Sequence, residues 1–492
     1  MSRRMRLAAA AFPLALLLTV TVAGCESAST PEAAPTSGLP SGSPPPATPS
    51  TASGTGSCPA GRAVPDPNRP VVDLAFSLDA DGRTVTGSER VVFTPDLPTA
   101  ELVFQLVPNG PDAAEAGNRL TVDRVRGKGV TRGHYEPAAA AAPGGRYVLP
   151  LTRRLAAGES TEVRLDFTLE LGGGTFDRFG TTGGVSWWGS GAPLLAWEPG
   201  VGWARDPFVR LLGESATSQA ADTRVSVEVP AAMTVLMTGD QAEPTAARGG
   251  RRTWASTEAA ARDVSVAVGD FTTAETTVDG VRVTSGVLPT GDADAGGARA
   301  GALAGATAAA ITVLSGRFGP FPYRTLTVPQ LPVTGGGIEY PSSILLAGPP
   351  SGVLVHEVAH MWFYGMVGDS QFRDPWLDEA FASYAESVDA PVDPARVAAT
   401  PAGPGDVGGS MAEFPDDRSY VSAVYGRGQT MLLAARDAAG AVAFDAAVRC
   451  YLDVRAWSIA TPADVATALA GLPAARDVLV AAGALDAADL SG

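Results

Sequence analysis

The sequence predicts a multidomain α+β chain, in which an N-terminal antiparallel β-sheet domain is followed by a mixed α/β domain that ends in helices. Three observations carry this. Residues 71–271 hold runs of period two: Val163, Leu165, Phe167, Leu169 and Leu171 alternate with polar residues, as do Val225, Val227 and Val229, then Val264, Val266 and Val268. After Asp279-Gly280 the pattern changes to an Ala-rich helical run over 298–318. Further on, His356-Glu357-Val358-Ala359-His360 sits between apolar triplets that read as one buried helix, on which both histidines share a face. At 492 residues and 45% hydrophobic content, the chain can hold two or three domains with buried cores.

The elements follow in chain order. Arg3, Arg4 and Arg6 precede an apolar stretch over 7–23 that is interrupted by Pro13 and ends in Val22-Ala23-Gly24-Cys25. A cationic start, a short apolar segment and small residues before a cysteine read as an export signal over 1–24, too short and broken for a spanning helix. Residues 25–64 are dominated by Ser, Thr, Pro and Gly, the composition of a linker. With Cys25 set aside, Cys58 and Cys450 form an even pair in a chain bound for an oxidising compartment. A disulfide between them and two free thiols are both open.

The β-rich domain is assigned to 65–275. Trp187, Trp188, Trp197 and Trp203 show no clear period and are expected to pack in cores, and His134 is expected at the surface, not as a ligand. The second domain is assigned to 276–492. Strands are expected at 324–328 and 343–346, on either side of Gly335-Gly336-Gly337-Ile338-Glu339-Tyr340-Pro341, with an irregular loop over 391–409. From about Tyr420 onward the reading is helical, and Thr461-Pro462 opens one helix.

Net charge excludes one class of partner. At −16, the chain offers no basic patch to neutralise nucleic-acid phosphates. Lys128 is its sole lysine, and the bias toward Ala, Gly, Pro and Arg is one associated with GC-rich bacterial genomes.

The chemistry resides in the histidine pair. His356 and His360 on one helical face can reach one metal ion, while Glu357 points to the side of that face, where it can take a proton without ligating. Glu379 follows after eighteen residues, in Asp374-Pro375-Trp376-Leu377-Asp378-Glu379, which reads as the start of a second helix with an acidic first turn. Two imidazoles and one carboxylate leave a fourth tetrahedral position open, the pattern of a catalytic zinc site with one Zn2+ per chain.

These motifs resemble the aminopeptidase-N family of gluzincin metallopeptidases, through His356-Glu357-Val358-Ala359-His360, the eighteen-residue spacing, and Trp376-Leu377-Asp378-Glu379-Ala380-Phe381-Ala382. The family places a Gly-x-Met-Glu-Asn strand before the zinc helix, and Gly336-Gly337-Ile338-Glu339-Tyr340 stands there. The resemblance implies a thermolysin-like catalytic domain in which Glu339 binds the substrate's free ammonium group. Ile338 and Tyr340 depart from the usual Met and Asn, which weakens the case for one hydrogen bond to the substrate backbone. Tyr425-Gly426-Arg427-Gly428 resembles the family's Tyr-x-Lys-Gly, so Tyr425 is the implied oxyanion donor, with Tyr420 as competitor. A further acid from the β-domain is implied in amine binding, for which Glu198 is the choice and Glu214 the reserve. The large C-terminal helical domain of longer relatives has no counterpart after Glu379, which implies a more open cleft.

The resulting expectation is a zinc aminopeptidase acting on peptides with a free N-terminus, exported and lipid-anchored through Cys25 on the outer face of a bacterial cytoplasmic membrane. Val22-Ala23-Gly24-Cys25 resembles a lipobox, so membrane contact would run through the lipid anchor only. A thermolysin-like endopeptidase and a non-catalytic peptide-binding protein are the rivals.

Overall fold

The computed structural model describes residues 58, 61–173, 178–213, 216–289, 293–348, 353–388 and 405–491. The expected signal over 1–24, Cys25, most of the linker, Glu214 and most of the 391–409 loop lie outside the described residues.

Period-two patterning becomes sheet as expected. In the strand Thr161–Glu170, Val163, Leu165, Phe167 and Leu169 point into the core and the residues between them face outward. This strand belongs to a seven-stranded sheet, in which Val71–Leu78 lies between Thr84–Phe93 and Ala221–Pro230. One pairing departs from the antiparallel expectation: Val71–Leu78 runs parallel to Ala221–Pro230. Parallel neighbours need a long connection, and the chain between these two supplies it. Two four-stranded sheets, one of them built around Val185–Gly189 and Ser265–Gly269, and the two-stranded pair of Trp197–Glu198 with Gly202–Trp203 complete the β-rich part. Trp187 and Trp188 are fully buried and Trp197 nearly so, while His134 is exposed.

The second part is built on a five-stranded sheet in the order Thr272–Val278, Val281–Val287, Thr325–Leu331, Ser343–Ala347, Gly337–Tyr340. The boundary assigned at 275/276 falls inside the first of these strands. Asp279 and Gly280 both adopt positive φ, at 50° and 80°, as the central pair of a tight hairpin turn. The change of character after them therefore marks a hairpin and not the end of the β pattern. The Ala-rich helix runs over Ala293–Phe318, and its Leu303, Ile311, Leu314 and Phe318 join one core with Val283, Leu326 and Val328 of the sheet. Thr461 and Asp464 form a capping box at the start of the helix Pro462–Ala468.

Cys58 and Cys450 are disulfide-bonded, with Cα atoms 5.4 Å apart, which resolves the open alternative. Next to this link Ala63 N–H donates to the Asp453 carbonyl at 2.8 Å, and Arg62 pairs with Asp453 at 3.5 Å. The start of the fold is thus fastened to the helix Ala441–Arg455. Replacing Cys450 with serine should lower the unfolding free energy by about 2–4 kcal/mol, read from denaturant melts under non-reducing conditions. Identical melts for the two proteins would mean that this link restrains nothing.

Candidate active site

The helix that carries the histidine pair is short. Only Leu354–Ala359 is assigned α-helical; the expected continuation through Phe363 keeps helix-like bonds three and four residues back, from Met361 to Val358 and from Phe363 to Ala359, and wider turns follow it. There Gly365, Met366 and Val367 donate to the carbonyls of His360, Met361 and Trp362, five residues back in each case. Trp362 and Phe363, both fully buried, anchor this turn, and Gly365 approaches the Tyr323 phenol too closely for any side chain. The second helix, Trp376–Ser387, starts after Pro375 and carries Asp378 and Glu379 in its first turn.

Together the two helices bring His356, His360 and Glu379 to one point. Glu379 Oε2 lies 3.2 Å from His356 Nε2 and 3.5 Å from His360 Nε2, so one carboxylate oxygen faces both imidazoles. One donor atom from each of the three lies within 4.8 Å of the others. This donor set fits a tetrahedral zinc ion with one position left for a reactant.

The surroundings fix which atoms do what. His360 Nδ1 is hydrogen-bonded to Asp378 Oδ1, and Gln371 donates to the other Asp378 oxygen at 3.3 Å. The ring is held with Nε2 toward Glu379, as a ligating histidine requires. Tyr425 donates to Glu379 Oε1 at 2.5 Å, which ties up the oxygen turned away from the imidazoles. Sequence reasoning passed over Asp378 and Gln371; the signal was an acid directly before the ligand Glu379, on the same helical turn.

Glu339 comes from the edge strand Gly337–Tyr340. Pleating sends Ile338 and Tyr340 to the opposite face, where both are buried with Trp187, Leu236 and Leu345. Tyr340 OH lies 3.5 Å from Arg178, and its ring occupies space that a side chain at Gly189 would need. The Tyr for Asn departure therefore belongs to the interior. Gly337 is required for closeness, since a Cβ there would stand 2.5 Å from the Glu357 side chain. Glu339, Glu357 and His360 each bring an atom within 4.8 Å of the others.

Burial and the crowding of acids shift the titration of this cluster. Glu339 Oε1 and Glu357 Oε2 are buried without a hydrogen-bond partner. Burial pushes Glu339 up to about 8 and raises Glu357, although the histidines pull both down. Burial would raise Glu379 as well, but the His356 hydrogen bond and both imidazoles hold it below its ordinary value. Burial opposes charge on His360, yet Asp378, Glu339 and Glu379 outweigh it and raise that histidine well above its usual range. Among the described residues no arginine or lysine is ion-paired with Glu339, Glu357, Asp378 or Glu379.

Tyr425 stacks on His356, with ring centroids 5.9 Å apart, from within a π-helical stretch, Val421–Arg427. Such widened turns are frequent at functional sites. Tyr420 is one ring further out, edge-on to Tyr425 at 5.8 Å, so Tyr425 is the one of the pair that reaches the ligands. Glu198 is not gathered with Glu339. Its carboxylate is buried and ion-paired with Arg373, which also approaches Asp206 at 3.5 Å. An acid already engaged by a guanidinium is poorly placed to take a substrate amine.

No protein-family model matches the chain, and no curated protein matches it. Solved structures do. An M1 zinc metallopeptidase from Deinococcus radiodurans superposes with a TM-score of 0.62 at 20% identity, over 85% of this chain and 95% of that one. A mutant M1 zinc metallopeptidase from the same organism, bound to a Tyr-Ser-Ala substrate, superposes with a TM-score of 0.60 at 21% identity, over 84% of this chain and 94% of that one. A two-domain M1 zinc metallopeptidase mutant bound to L-arginine gives 0.61 at 20% identity, again over 84% and 94%. The chain has the fold of the M1 zinc metallopeptidases.

Proposed function

We propose that this protein is a zinc-dependent aminopeptidase that removes N-terminal residues from peptides. It acts outside the cell, held through lipid on Cys25 at the outer face of a bacterial cytoplasmic membrane, with 25–64 as its tether. The observation that carries the reading is Glu339: a buried carboxylate with a free oxygen, at a sheet edge, beside the His356, His360 and Glu379 cluster. Solved neighbours bound to Tyr-Ser-Ala and to L-arginine support a peptide end as substrate.

His356, His360 and Glu379 would hold the zinc, which supplies Lewis acidity when bound. An extended peptide can pair along the outer edge of Gly337–Tyr340, the last strand of its sheet, with its ammonium against Glu339. Burial raises Glu339, and a cation lying against it would favour the charged carboxylate. Water attacks the carbonyl carbon of the first peptide bond. Glu357 takes the proton from that water and returns it to the leaving nitrogen as the C–N bond breaks. Tyr425 has a single proton, engaged at rest by Glu379. To stabilise the developing oxyanion it must transfer that hydrogen bond, a small movement within the π-helical turn.

Three outcomes are expected. Glu357→Gln should retain zinc and lose about a hundredfold or more in turnover, measured on metal-quantified protein. Near-normal turnover would assign the base elsewhere. Tyr425→Phe should loosen zinc by about tenfold in chelator competition, because Glu379 loses its second hydrogen bond, and should lower kcat more than it changes KM. If neither quantity moves and Tyr420→Phe lowers kcat, the role passes to Tyr420. Glu339→Ala should weaken free-amine substrates by up to about 2–5 kcal/mol while scarcely changing N-acetylated ones, which the parent should cleave poorly. Equal cleavage of acetylated and free peptides by the parent would replace this reading with the endopeptidase, and no chelator-sensitive cleavage at all would leave the peptide-binding protein.

A further inference from the structure

A pocket lies beside the cluster just described, with none of His356, His360, Glu339, Glu357 or Glu379 in its lining. It is a cavity of about 320 Å3 between strands of the β-rich part and the turn that follows the His360 helix. Phe179, Phe208, Leu194 and Leu211 form apolar walls, and Thr217, Asp369 and Gln371 line it as polar groups. Its size is at the lower end of the range for small-molecule sites, about 300–1,000 Å3.

The polar lining is incomplete in one respect. Asp369 is 95% buried, and neither of its carboxylate oxygens has a hydrogen-bond partner. The Thr217 hydroxyl, also buried, has none either. The charge of Arg262 is felt at Asp369, but the N–H groups of the cations that line the cavity are engaged elsewhere, so no donor reaches the carboxylate. Arg262 donates to the main-chain carbonyls of Tyr364, Ser218, Met366 and Ser458. Arg210 pairs with Asp112 and Glu115. Arg178 contacts the Tyr340 phenol. Asp263, the other acid on the inner wall, already accepts from Ser190 and from the Val264 N–H. A metal ion is a poor complement, because the described His, Cys, Asp and Glu clusters able to hold one are both at the His360 site and exclude Asp369. What the cavity lacks is a donor-rich cation with an apolar body.

We propose that this cavity binds a small amphipathic amine, a short alkyl chain whose ammonium or guanidinium group pairs with Asp369 while its carbons lie against Phe179, Phe208 and Leu194. The Thr217 hydroxyl supplies an acceptor for a second N–H. Occupancy is felt at the metal site through Gln371, which lines the cavity and donates to Asp378, the partner of His360.

Calorimetric titration of the zinc-loaded full chain with n-pentylamine tests this, with 1-pentanol as the neutral match of the same length. One-to-one binding of the amine is expected, weakened by about tenfold or more in Asp369→Asn, for 1-pentanol, and in the cavity-filling Leu194→Trp, with thermal melts confirming that each variant is folded. Binding should persist in Glu339→Ala, which separates this cavity from the amine clamp of the proposed active site. Absence of amine binding overturns the proposal. So does equal affinity for amine and alcohol, or binding that is lost in Glu339→Ala and unchanged in Asp369→Asn.

Discussion

Four carboxylates, Glu339, Glu357, Asp378 and Glu379, converge in the interior around two imidazoles, and among the described residues no arginine or lysine is ion-paired with them. Charging so many buried acids is costly unless cations share the space, and burial accordingly raises Glu339, Glu357 and Asp378. The fold leaves two places for them: the point faced by His356, His360 and Glu379 Oε2, suited to a divalent ion, and the free oxygen of Glu339, suited to an ammonium. Function in this protein follows from that imbalance. In the function proposed above, metal and substrate amine would both answer this same electrostatic deficit.

The scaffold is arranged to hold these groups rigidly. A six-residue helix closed by wide turns, a second helix started by Pro375, and an edge strand with no side chain at Gly337 bring acids within a few ångströms of each other. Each is backed by a buried aromatic layer, with Phe363 stacked on Phe381 at 4.8 Å and Phe381 near Trp376 at 6.0 Å. The disulfide from Cys58 to Cys450 fastens the start of the described fold to the helix Ala441–Arg455.

Much of this was legible in sequence, for identifiable reasons. Alternation in 163–171 and the spacing of His356, His360 and Glu379 report local geometry, and local geometry is what periodicity encodes. Glu357 and Tyr425 were legible through short motifs, and the structure brings both to the ligands. What escaped depended on long-range contacts. Glu198 looked available until folding brought Arg373, distant in sequence, onto it. Tyr340 looked like a lost substrate contact until pleating turned it into the interior. Asp279-Gly280 looked like a boundary because a hairpin turn and a domain junction share the same residues. The pairing of Cys58 with Cys450 could not be chosen without proximity.

The central claim is that two imidazoles and one oxygen of Glu379 form a single metal site. Calorimetric titration of zinc into metal-stripped protein, beside the same titration of His360→Ala, tests it most directly. The account predicts one tightly bound zinc per chain in the parent and none in the variant. Stoichiometric zinc in His360→Ala, or no saturable zinc in the parent, would contradict it.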